Sequence, residues 1–167
     1  MKSENLLIVA DSDRDANMLY VVGMFVPDPF IYLRLRGRNY IVLSDLEIDR
    51  ARKQAPHCHA LSLRRYQDKL RRDGVKHPGF ADVIPMILRP RNVRRVAVPQ
   101  NFPHGLAADL QRAHIRVEAR RGNFWPEREL KSAAEVRKIS AALTMAEVGM
   151  AEAIQVLQAS KIARIGG

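Results

Sequence analysis

The chain has 167 residues, 47% of them hydrophobic, one cysteine and a formal net charge of +10. That length supports one domain with a sizeable core, and the lone Cys58 excludes an internal disulfide. No uninterrupted apolar run is long enough to span a bilayer, and Leu6–Ala10 is too short for a signal peptide, so a cytoplasmic protein with no membrane partner is expected.

Leu6–Ala10 is predicted to be a buried strand. A polar turn, Asp11–Asn17, separates it from a second apolar run, Met18–Phe25, read as another strand. Val26-Pro27-Asp28-Pro29 is a rigid loop, because each proline fixes its own φ and restricts its predecessor. Phe30–Leu35 and Tyr40–Leu43 flank Arg36-Gly37-Arg38-Asn39, the pattern of a hairpin with a glycine turn. Ser44 stands three residues before Glu47, a capping-box spacing that predicts a helix from Asp45 to about Gln54, ended by Pro56.

From Arg50 to Arg95 there are 13 Lys/Arg and 3 Asp/Glu, leaving 15 of each sign elsewhere, so the whole charge excess lies in this segment. Within it, Ala60–Leu63 reads as a strand and Arg64–Arg72 as a helix with i,i+4 pairs Arg64/Asp68, Asp68/Arg72 and Lys69/Asp73, stopped at Gly74. Ala81–Leu88 is a short helix despite Pro85. A basic stretch meets phosphates or an acidic protein surface. Only Tyr66 and Phe80 are available to stack on bases, and there is no zinc-finger spacing, so nucleic acid is the weaker of the two partners.

Arg95–Val98, Pro103–Ala113 and Ile115–Ala119 form a strand–helix–strand unit, the signature of a parallel crossover. The alternation of strands and helices predicts an α/β domain with helices packed on a sheet. The pattern stops between Gly122 and Pro126, and residues 128–157 then read as one long helix. Ser132 and Glu135 make a capping box, and apolar residues recur at Val136, Ile139, Leu143, Ala146, Met150, Ile154 and Leu157. Gly149 and the small alanines weaken a coiled-coil seam, so the stripe is expected to be covered by its own domain or by a second copy.

Local chemistry is sparse. Asp11, Asp13 and Asp15 mimic the start of a calcium loop, but Ala16 and Val22 stand where its glycine and bidentate glutamate belong. His57-Cys58-His59 point to alternate faces in a strand, with no second ligand pair for zinc. Asp45, Glu47 and Asp49 alternate, yet on a helix Glu47 faces away from the other two. A strand followed by Asp11-Ser12-Asp13 is similar to the start of haloacid-dehalogenase-like phosphatases, but that family's later acidic pair is missing. No nucleophile stands beside a base, and no glycine-rich phosphate loop is present.

Arg128-Glu129-Leu130-Lys131-Ser132-Ala133-Ala134-Glu135-Val136 resembles the domain junction of the Xaa-Pro aminopeptidase, prolidase and creatinase family. There an arginine, a lysine-serine pair and a glutamate introduce the first helix of the pita-bread catalytic domain. Ile139 and Ala142 fall where that helix carries an apolar residue and an alanine. Asn17, Tyr20 and Gly23 reproduce the Asn-x-x-Tyr-x-x-Gly spacing of an early strand of the family's N-terminal domain. Phe30–Leu43 would be the hairpin that follows, and Ser44-Asp45-Leu46-Glu47 the turn into its helix.

The resemblance implies that residues 1–127 are a creatinase/prolidase-type N-terminal domain, a mixed β-sheet flanked by helices with no catalytic residue. Residues 128–167 would be a linker and the first helix of a catalytic domain. The parent would be a metallopeptidase that cleaves peptides next to proline. Two divalent metals (Mn, Co or Zn), held by two aspartates, one histidine and two glutamates, would lie beyond residue 167, leaving this chain inactive alone. Related N-terminal domains help form dimers and wall a neighbouring active site. A homodimer is therefore expected, with Asp11, Asp13, Arg14, Asn17 and Tyr20 as candidates for contact with the substrate channel or the other subunit. The alternative is a binding module that uses residues 50–95 against nucleic acid or an acidic partner.

Overall fold

The computed structural model describes residues 4–161; residues 162–167, the end of the predicted 128–167 segment, lie outside them. Six strands are formed: β1 Leu6–Ala10, β2 Phe30–Leu35, β3 Arg38–Leu43, β4 Cys58–Ser62, β5 Arg95–Val98 and β6 Arg116–Ala119. They make one mixed sheet in the order β4-β3-β2-β1-β5-β6. β2 is antiparallel to β1 and β3, and the remaining neighbours are parallel. The hairpin between β2 and β3 turns on Arg36 and Gly37, with φ of 51° and 82°. Positive φ at both central residues gives the twist that a two-residue hairpin needs. β3 therefore starts at Arg38, paired with Leu35, two residues before the predicted Tyr40.

The predicted crossover is present, as β5 and β6 are parallel and α5 (His104–Arg112) lies between them in the chain. Both faces of the sheet are covered. On one face Leu6, Ile8, Phe30, Tyr32, Ile41 and Leu43 pack with α1 (Ala16–Val22), α2 (Asp45–Gln54) and the segment Phe124-Trp125. On the other, Leu7, Val9, Ile31, Leu33, Val42 and Val96 pack with α3 (Leu63–Arg72), α4 (Phe80–Leu88) and α5. Alternate strand residues feed opposite cores, which is why β1 is buried along almost its whole length. Each fully buried aliphatic side chain contributes roughly 1.5–3 kcal/mol. That burial also explains why Pro85 does not break α4. Val83, Ile84, Pro85, Ile87 and Leu88 are all buried, and packing offsets the missing N–H donor.

Three local expectations are corrected. Met18–Phe25 is not a strand, because residues 16–22 form α1. The Asp15 carboxylate accepts from the Met18 N–H at 2.8 Å as N-cap, and Gly23, at φ 68°, closes the helix through its N–H to the Leu19 carbonyl at 2.7 Å. Met18 and Val22, four residues apart, form its buried face. The Asn17, Tyr20, Gly23 spacing is thus a helical one, ended by a left-handed glycine. Ser44 precedes α2 but makes no side-chain cap bond, and Glu47 instead pairs with Arg50. In α3, Asp68 pairs with Arg64 at 3.8 Å and Arg71 at 2.7 Å, while Arg72 reaches only the Asp68 backbone carbonyl. No Lys69–Asp73 pair forms among the described residues.

The chain divides at the Trp125–Pro126 bond into two compact units. The second holds a 3-10 turn, Pro126–Glu129, and α6, Ala133–Ala159. Its capping box is made: the Ser132 N–H donates to Glu135 at 2.8 Å, and the Glu135 N–H to the Ser132 hydroxyl at 3.3 Å. No residue of α6 is buried, so nothing within its own unit covers the apolar stripe. By length and composition α6 is long and apolar enough to cross a membrane, which corrects the reading from uninterrupted runs. Glu147 and Glu152 break the run in sequence. Two carboxylates near a bilayer centre would cost on the order of 3 kcal/mol each.

Gly23→Ala should destabilise the first unit by about 1 kcal/mol or more, because alanine is strained at that positive φ; an unchanged urea midpoint would contradict the cap. Hydrogen bonds from Ser132 hold the Glu135 carboxyl below the usual range. The stabilisation of the first turn of α6 is therefore present above the unfolded pKa and lost as pH falls through the folded one. Amide shifts of Ser132 and Glu135 should report that fraying on acidification, and Glu135→Gln should remove the transition.

Candidate functional site

The turn after β1 is built around Ser12. Its buried hydroxyl donates to the Met24 carbonyl and accepts from the Val26 N–H, both at 2.7 Å. The Ser12 N–H adds a bond to the Val26 carbonyl at 3.0 Å. Asp11 closes the turn by accepting from the Arg14 N–H at 2.7 Å. The second oxygen of Asp15 accepts from the Asn101 amide at 2.8 Å, tying the turn to the loop between β5 and α5.

This framework brings Asp11, Asp13 and Arg14 onto one turn and places Asn17 and Tyr20 on the helix that leaves it. Asp13 and Arg14 are exposed, while Asp11 and Asn17 are half-buried. Tyr20 is 42% exposed, with its ring centroid 6.3 Å from that of Trp125. Sequence reasoning missed Phe25, 54% exposed between the two residues that Ser12 holds. Its only signal was its place between buried Met24 and Val26. Beside the turn lies a hollow of about 480 Å³, walled by Val9, Asp11, Pro29, Phe80 and Leu106.

The remaining candidates are structural. Tyr32 donates to Asn39 at 2.9 Å, and burial raises its phenol pKa. Burial pushes the Cys58 thiol up to about 11. His57 Nε2 lies 2.8 Å from the Val21 carbonyl, and His59 packs its ring against Tyr40. Trp125 sits beneath the Arg34 guanidinium at 5.2 Å and edge-on to Tyr32. Among the described residues no three His, Cys, Asp or Glu side chains converge to hold a metal, so the two ions implied by the resemblance do not fit here.

The basic segment does not form one stripe. Arg65, Lys69 and Arg72 line a hollow at the end of β4. Arg89 and Arg94 line another with His114, and Arg91 a third with Arg36 and Arg38. The parallel strand directions place the end of β4 and the start of β5 at opposite ends of the sheet.

The architecture is thus an α/β domain with a mixed six-stranded sheet covered on both faces. No protein-family model matches the chain, and no curated protein matches it. Among solved structures it is similar to X-Pro aminopeptidase from Thermotoga maritima MSB8, with a TM-score of 0.71 and 17% identity over 91% of this chain and 40% of that one. It is also similar to the prolidase from Pyrococcus horikoshii OT3, with a TM-score of 0.65 and 14% identity over 91% of this chain and 38% of that one. Xaa-Pro dipeptidase from Bacillus anthracis follows at a TM-score of 0.57 and 14% identity, over 80% and 33%. The chain therefore has the fold of the prolidase N-terminal domain and spans about two fifths of the first two chains.

Ser12→Ala should cost about 1–3 kcal/mol, because it removes the partner of two backbone groups in a buried site. Chemical denaturation measures it, and a loss within error would show that the clamp is dispensable. The native Cys58 thiol should react slowly with a thiol reagent at pH 8 and quickly in denaturant. Its raised folded pKa also means that the thiol's contribution to stability is present below the unfolded value and declines as pH rises toward about 11.

Proposed function

We propose that this chain is the non-catalytic N-terminal part of a Xaa-Pro peptidase-like hydrolase, with residues 1–127 as the N-terminal domain and 128–167 as the linker and first catalytic-domain helix. The observation that carries this is the fold match, which takes in 91% of this chain but only 40% of a named X-Pro aminopeptidase. The capped α6 with its uncovered apolar stripe supports it, since such a face calls for a partner surface. In this reading the parent is cytoplasmic and cleaves peptides beside proline. Two divalent metals (Mn, Co or Zn) elsewhere in it activate water.

The N-terminal part supports a homodimer and shapes the active site, with the turn Asp11, Asp13, Arg14 and the helix residues Asn17 and Tyr20 as the contact. Ser12 and Asp15 pre-order that turn, which keeps the entropy cost of binding low.

The chain alone should not turn over a proline-containing peptide with Mn or Co present; robust turnover would overturn the assignment of catalysis elsewhere. The coding region after Gly167 should supply two aspartates, one histidine and two glutamates. In the full-length parent, Arg14→Glu with Tyr20→Ala should raise the dimer dissociation constant by roughly tenfold or more in sedimentation, and an unchanged constant would remove this contact.

A further inference from the structure

Among the described residues the sheet ends at β4, with no strand beyond it. Among the described residues, His59, Ala60 and Leu61 make no backbone hydrogen bond outside the β3 ladder. A strand in that position presents a row of free N–H and C=O groups. Proteins often cover such an edge, but here it forms the floor of a groove. Ala60, Leu61 and Ser62 line the bottom of a hollow of about 590 Å³. One wall is α2, through Ile48, Asp49 and Arg52, and the other is α3, through Arg65, Lys69 and Arg72. Spacings of four, three and seven put Arg65, Lys69 and Arg72 on a single face of α3, and on α2 Ile48 and Asp49 each lie one turn from Arg52.

The charges of the two walls differ. On the α2 side Asp49 is neutralised by Arg52 at 3.0 Å, and Asp45 accepts from the Ser62 hydroxyl. On the α3 side Arg65 and Lys69 have no carboxylate partner among the described residues, and Arg72 reaches only a backbone carbonyl at 3.3 Å. The groove thus pairs a free strand edge with one wall of three uncompensated cations.

We infer that β4 and its flanking helices dock an extended acidic segment of a partner protein, which adds to the sheet as a further strand. Alternate residues of a strand face the same side, so this segment would carry carboxylates at every second position toward α3 and apolar side chains toward Ile48. A second copy of this chain is disfavoured. A two-fold pairing of β4 edges in one continuous antiparallel sheet would set two α3 helices on the same face, cation against cation. Nucleic acid is disfavoured because Tyr66 is the only aromatic side chain lining the groove.

The test uses fluorescence anisotropy of the full chain with a labelled alternating Glu-Val peptide. Saturable binding that weakens with salt is expected, and an alternating Lys-Val peptide should not bind. Arg65→Glu with Lys69→Glu, both at exposed positions, should weaken binding at least about tenfold. N-methylating alternate peptide residues removes ladder donors without touching the fold of the protein, and it should abolish binding. The inference is overturned by no binding at low salt, by equal binding of the N-methylated peptide, by indifference to the charge reversals, or by an oligonucleotide that displaces the peptide at lower concentration.

Discussion

The two central strands have no side that water can wet. Leu6, Leu7 and Ile8 are consecutive and all buried, as are Phe30 to Leu33 on the neighbouring strand. A sheet with this pattern is stable only if helices cover both faces, and the chain does this by alternating sides. α1 and α2 cover one face, and α3, α4 and α5 the other. The turn after β1 is a consequence. The chain must leave the end of β1, cover part of one face within the seven residues of α1, and return to begin β2 opposite Ala10. The Ser12 clamp and the two caps of α1 fit that excursion into a short segment. They are also what orders the residues proposed for contact.

Elements bounded by specific turn chemistry were readable from the sequence. The hairpin around Gly37 and the crossover from Arg95 to Ala119 appear with shifts of a residue or two at their ends, and the capped α6 appears but starts at Ala133, after the Ser132 cap, rather than at residue 128. α1 was not readable, because Met18–Phe25 is almost wholly apolar and carries little periodicity to separate helix from strand. Its signals, Asp15 before and Gly23 after, were present, but the aspartate looked like part of an acidic turn. The Ser44–Glu47 box failed for a related reason. Arg50, one turn along, competes for the same glutamate, and a pairwise spacing rule does not weigh that competitor.

The candidate site was legible as a cluster of polar residues in sequence and illegible as a geometry. Asn101 reaches Asp15 across 86 positions, and Ser12 reaches Val26 across 14. Neither contact leaves a trace in local spacing. The basic segment shows the opposite failure. Contiguous in sequence, its charges are dispersed over two ends of the sheet. Arg65, Lys69 and Arg72 of α3 share a surface with the open edge of β4, where Arg52 of α2 is already paired with Asp49.

The placement of Trp125 has an optical consequence. It is the chain's one tryptophan, 6% exposed, and the last residue before the second unit. The rings of Tyr20 and Tyr32 each lie 6.3 Å away, close enough for their excitation to pass to the indole. Light absorbed by those tyrosines therefore emerges as tryptophan emission only while the end of the first unit stays seated on the sheet. The protein carries its own gauge of that seating, readable without any label.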